Sequence, residues 1–149
     1  MDLAGNLINL LWAAGLSALI GLERELRHRD AGLRTHMMVG LGSALFTIAG
    51  AEMGTDATRM AAQVVSGIGF LGAGAIFRSG DSIKGLTTAA GLWTVAAIGV
   101  VAGFGELALA VTATVVALVV LYGLLPVVDR IGRSKRSQQE PDEEQGTQR

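Results

Sequence analysis

Apolar residues gather in five long runs along this chain: Leu3–Leu22, Thr35–Met53, Met60–Phe77, Gly85–Gly105 and Leu107–Val128. The runs are rich in Leu, Ala, Val, Ile and Gly and do not alternate at period two. A bilayer core about 30 Å thick takes about 20 apolar residues in a helix, and the five runs meet or approach that length. Each is far longer than a membrane-barrel strand of about 9–11 residues. Helices are then the remaining way to satisfy every backbone group in lipid. The pattern predicts an all-α integral membrane protein, a bundle of five transmembrane helices filling one domain over residues 1–131. The stretch 132–149 has no large apolar residue, cannot bury a core and is expected to be a disordered polar tail.

Composition agrees. Half of the 149 residues are hydrophobic and only 17% are charged. A soluble bundle would need several wholly apolar central helices from a very short chain. There is no cysteine, hence no disulfide and no thiolate site. Met1-Asp2-Leu3 lacks a basic leader, so the first run is expected to be a retained span.

The basic residues set an orientation. Arg24, Arg27, Arg29 and Arg34 lie in the first connection, Arg78 and Lys84 in the third, and Arg130, Arg133, Lys135, Arg136 and Arg149 after the last run. Arg59 stands alone in the second, and the fourth, Gly103–Glu106, has none and is expected to be a tight turn. With five spans the basic connections share one side. That side is the cytoplasm, which places the N-terminus outside and the C-terminus inside.

Charge beside a hydrocarbon slab is costly unless it is anchored, paired or used. Glu23, Arg24 and Glu25 end the first run, and Arg34, Thr35 and His36 begin the second. A short loop would bring these two groups together as a collar. It is either an interfacial salt-bridge network or a polar site on the cytoplasmic side. Two carboxylates suit Mg²⁺, an oxygen-seeking cation, whereas Arg24 and Arg34 oppose a divalent ion, so the metal assignment stays open. Arg78 and Asp81 in the third connection, with Thr87 and Thr88 just beyond it, extend the same polar surface. Gln63 and Ser66 share a face of the third helix and are expected to point into the bundle.

Gly67-Ile-Gly-Phe-Leu-Gly72 matches the dinucleotide pattern, but no strand precedes it and no acid follows about 20 residues on. Gly67, Gly69, Gly72 and Gly74 are better read as a surface for close helix packing, which predicts the third helix at the centre of the bundle. A short echo, Gly32-Leu-x-Thr35 and Gly85-Leu-x-Thr88, hints at a parallel two-helix repeat. No hydrolase, P-loop or metalloprotease motif is present, so no enzyme is expected.

Four segments in order carry a resemblance: Gly21-Leu-Glu-Arg-Glu25, Ala31-Gly-Leu-Arg-Thr-His36, Gln63 through Arg78, and Lys84 through Trp93. Together they resemble the MgtC/SapB family of bacterial inner-membrane proteins, over about Leu11–Gly105. The resemblance implies a multi-pass inner-membrane protein tied to magnesium homeostasis and growth in low magnesium, and in some bacteria to survival inside host cells. It implies regulation more than transport, with other membrane machines such as the ATP synthase or transporters as partners and membrane lipids around it. No nucleic-acid partner and no cofactor are expected, with Mg²⁺ left open. Longer members carry a soluble C-terminal domain where this chain has a polar tail, as the SapB-like members do. The competing expectation is a Mg²⁺ or other cation transporter or channel, built as a homo-oligomer.

Overall fold

Short polar signals mark where the helices of this protein start and stop. The computed structural model describes residues 2–54, 56–80 and 82–123. Five helices follow in order: α1 (Leu3–Leu26), α2 (Leu33–Glu52), α3 (Ala57–Gly74), α4 (Leu86–Gly103) and α5 (Leu107–Gly123). Asp2 caps α1, its carboxylate accepting from the Gly5 N–H at 2.9 Å, and Asp56 caps α3 through Thr58 and Arg59.

Two helices stop in the same way. His28 follows α1 in the left-handed region at φ 53°, its N–H returning to Glu25 and that of Arg29 to Arg24. Gly105 does the same after α4 at φ 83°, with Glu106 returning to Val101. Both are Schellman stops, in which the returning N–H groups satisfy carbonyls the helix leaves open. The second makes Gly103–Glu106 the tight turn expected.

The third run ends sooner than its hydropathy implies. α3 stops at Gly74, and Phe77, read as helical from sequence, belongs to a small antiparallel hairpin of β1 (Phe77–Ser79) and β2 (Ser82–Lys84). Gly72 and Gly74 weaken the end of the helix, and Gly80 supplies the positive φ of 60° that the hairpin turn needs. Apart from this hairpin the described chain is helical. α1 and α4 are long and apolar enough to cross a membrane, and α5 is apolar over its 17 described residues.

Residues 1–115 form one compact unit, and Val116 onward belongs to a second, described here only as the continuation of α5. Within the first unit α2 is central. A Cβ at Gly40 would fall 1.8 Å from the Ser17 hydroxyl of α1, and one at Gly99 of α4 would fall 2.3 Å from the Gly40 carbonyl. Three helices therefore meet at Gly40. Further along, Gly103 of α4 lies against Ala44 and Thr47 of α2 in the same sense, so α2 and α4 run parallel. Gly21 of α1 packs on Leu33 and His36, while Asn6 donates to Glu52 at 3.2 Å, so α1 and α2 are antiparallel. α3 runs antiparallel to both its neighbours, with Gly50 against Met60 and Gly85 against Ala75.

The expectation that α3 is the centre is thereby corrected. Ile68 is its one buried residue among those described. Nothing lies within 4 Å of where a Cβ would stand at Gly67, Gly69 or Gly74, and Gly72 meets only Ala89 at 3.8 Å. Small residues let a neighbour come close, but the neighbours here come close on α2 and α4 instead.

Candidate functional site

The end of α1 and the start of α2 bring the charged collar together. Glu23 and Arg24 are each only 3% exposed. One Glu23 oxygen accepts from Arg24 Nε, and the other faces Arg27 Nε one turn on. Such burial is tolerated because the carboxylate sits between two guanidiniums. The Glu25 carboxylate does something different. It reaches across the connection and accepts from the Leu33 N–H at 3.0 Å, capping α2, whose own N-cap Gly32 has no side chain to do so. A Cβ on Gly32 would stand 1.7 Å from that carboxylate oxygen, so the residue under the cap is glycine. A negative charge there also opposes the positive end of the α2 dipole.

His36, one turn into α2, is wholly buried between Gly21 of α1 and Gly91 of α4. Its Nδ1 lies 2.9 Å from the Gly32 carbonyl. A carbonyl only accepts, so Nδ1 carries the proton. Nε2 points toward Gly91 and has no hydrogen-bond partner among the described residues. Glu23 and Arg24 are the charges that act on this ring. Thr88, 3% exposed, lies one turn before Gly91 on α4.

The remaining expected site residues are arranged less tightly. Arg34 and Thr35 are exposed and line a recess of about 460 Å³ together with Glu25, Gly32 and Leu33. Thr87 is exposed. Arg78, on the hairpin, donates from Nε to the Gly80 carbonyl at 2.8 Å, and Asp81 lies outside the described residues. Gln63 and Ser66 are exposed on α3 and do not point into the bundle as expected. The structure thus joins Glu23, Arg24, Glu25 and His36, with Arg34 and Thr35 at the rim. Sequence reasoning passed over Ser17, Gly40, Gly99 and Gly103. The available signal was Gly91, Gly99 and Gly103, which repeat along one face of α4.

The MgtC family profile matches residues 10–130, which is most of the chain. The chain belongs to the MgtC family. It is 50% identical over 115 residues to "Protein MgtC" of Brucella abortus strain 2308, covering 76% of this chain and 48% of that protein. It is also 50% identical over 113 residues to "Protein MgtC" of Salmonella typhimurium strain 14028s, covering 75% and 49%. The chain spans about half the length of the curated relatives it matches. No solved structure matches. Family membership and two helices of membrane-crossing character mark a bacterial membrane protein.

Both Glu23 oxygens face guanidiniums, and Glu25 is engaged at the start of α2. Among the described residues no three of His, Asp and Glu cluster as metal ligands.

Proposed function

We propose that this chain is a multi-pass protein of the bacterial inner membrane that serves magnesium homeostasis by binding other membrane components, and not by conducting ions or by catalysis. The observation that carries this proposal is the closure of the bundle at Gly40, where α1, α2 and α4 leave no room for a methyl group. Two hydroxyls of α2 are spent on their own helix, Ser43 on Val39 and Thr47 on Ser43. A centre packed in this way supports a protein that presents its surfaces to partners.

Orientation is supported by charge. Alternating helix directions put Arg24, Arg27, Arg29, Arg34, Arg78 and Lys84 at one end of the first unit, and Arg59 at the other. Under the positive-inside rule the first end is cytoplasmic and the N-terminus is outside. Leu7, Leu11, Leu19, Phe46, Phe70 and Trp93 stand exposed around the helices, as lipid contact would have them. Partners of the kind the family resemblance implies, an ATP synthase or a transporter, would be met through these flanks.

A homo-oligomeric conduit is the second reading. It is favoured by one observation: exposed Gln63 and Ser66 share α3 with the uncovered Gly67, Gly69 and Gly74, a face that self-association would bury. Mg²⁺ flux into liposomes holding the purified full chain separates the two. No flux from folded protein is expected. Flux that falls when Gln63 is replaced by Ala would overturn the proposal in favour of the conduit.

A further inference from the structure

α2 and α3 do not close on one another along their length. Between them runs an open groove of about 550 Å³, walled by residues including Thr35, Met38, Phe46, Gly67 and Leu71. Its surface is almost wholly apolar, although Thr35, Ser43 and Gln63 lie in the wall, and the Ser43 hydroxyl is turned to its own helix. Along α2 it extends from Thr35 to Phe46, about 16 Å at a rise of about 1.5 Å per residue. That is close to half of a hydrocarbon core about 30 Å thick, the depth of a single leaflet. An acyl chain, apolar along its whole length, is complementary to such a lining.

Its mouth is polar. The groove and the recess beneath Glu25 share Thr35. Arg34 is exposed beside Thr35 in that recess, with no ion pair among the described residues. The nearby Glu25 carboxylate is engaged by the Leu33 N–H. Arg27 and Arg29 lie at the same end of the bundle. A cation at the headgroup level above an apolar groove one leaflet deep is complementary to an anionic lipid.

We infer that the α2–α3 groove binds one acyl chain of an anionic phospholipid of the cytoplasmic leaflet, with its phosphate held at Arg34 and Thr35. The inference rests on the membrane reading of the proposed function and adds to it a defined lipid site. The groove exists because Gly42 and Gly67, both in its wall, leave open space where a side chain would stand. Filling either position removes the site without displacing a neighbour.

The test uses the full chain, purified in detergent, exposed to equal amounts of phosphatidylglycerol and phosphatidylcholine and weighed by native mass spectrometry. Phosphatidylglycerol is expected to be retained about fivefold over phosphatidylcholine, the factor that roughly 1 kcal/mol per basic residue represents. Arg34→Ala is expected to abolish the preference while lipid is still retained, and Gly67→Leu to abolish retention of both lipids. Equal retention by the unaltered chain, or a preference unchanged in Arg34→Ala, would overturn the assignment. So would a dimer carrying no lipid, which would make a second copy the occupant. Flotation with phosphatidylglycerol-containing vesicles tests the underlying reading by itself, because a chain that stays out of the vesicles is not a membrane protein at all.

Discussion

The Glu25 carboxylate, at the end of α1, caps the backbone N–H of Leu33, at the start of α2, across 3.0 Å. The two helices are therefore joined where the chain reverses, by a side chain from one and a main-chain donor from the other. Loss of a helix cap costs about 1 kcal/mol. Glu25→Ala should lower the melting temperature of the purified protein, whereas Asp30→Ala, an exposed carboxylate of the same loop, should not. Gly32→Ala should show the same loss, because its methyl group displaces the carboxylate. The double variant should be no worse than either single one. Additive losses would mean that the cap is not what couples these residues.

Glu23 is the more severe site. Its removal leaves Arg24 buried without its anion, and breaking a buried pair costs about 3–5 kcal/mol. Glu23→Gln should strongly reduce folded yield. Arg34→Ala, at an exposed residue, should fold normally. Thermal unfolding of the two side by side checks the contrast, and equal stability would contradict the buried geometry.

The glycines divide in two. Gly99→Ala drives a methyl group against the Gly40 carbonyl, and overpacking of this kind costs about 1–3 kcal/mol. Gly69→Ala meets open space and gains up to about 1 kcal/mol of helix propensity. Monodispersity in detergent should fall for the first and hold for the second. The reverse order would restore α3 to the centre.

The His36 ring offers a spectroscopic check. Nitrogen NMR of histidine-labelled protein should show His36 protonated at Nδ1, as its bond to Gly32 requires. A bare Nδ1 would show that this bond is absent.

Orientation can be read directly, since the chain has no cysteine to remove. A thiol placed at Ser79 should react with a membrane-impermeant reagent only from the cytoplasmic face, and one at Glu106 only from outside. Labelling of both from one face would exclude the proposed arrangement.

Several of these features were legible before the structure. Five apolar runs became five helices, because a helix satisfies its backbone groups within one apolar segment. Gly103–Glu106 formed its turn through the positive φ of Gly105. The collar was visible as charge that apolar surroundings would not leave unpaired. What stayed hidden was partner choice. A small residue permits close approach without saying who approaches, so Gly67–Gly74 drew attention that belonged to Gly40 and Gly99. The β1–β2 hairpin was hidden for another reason: Ile76 and Phe77 are as apolar as the helix they follow, and hydropathy does not distinguish extended from helical backbone. Glu25 and Glu23 are near neighbours of the same type, and only the geometry separates a cap from a buried ion pair.

The Glu23 carboxylate finds both its cations at the end of the first helix, at Arg24 and at the C-cap Arg27. During synthesis the first helix can thus be handed to the lipid with its charge already matched, before any later segment has left the ribosome. Its ion pairs carry no information about whether assembly has gone further. That information lies in the contacts to later helices, at Glu25, Ser17 and Gly21. Translation arrested before α2 should leave a membrane-inserted first helix that is electrostatically complete and has yet to make its packing contacts.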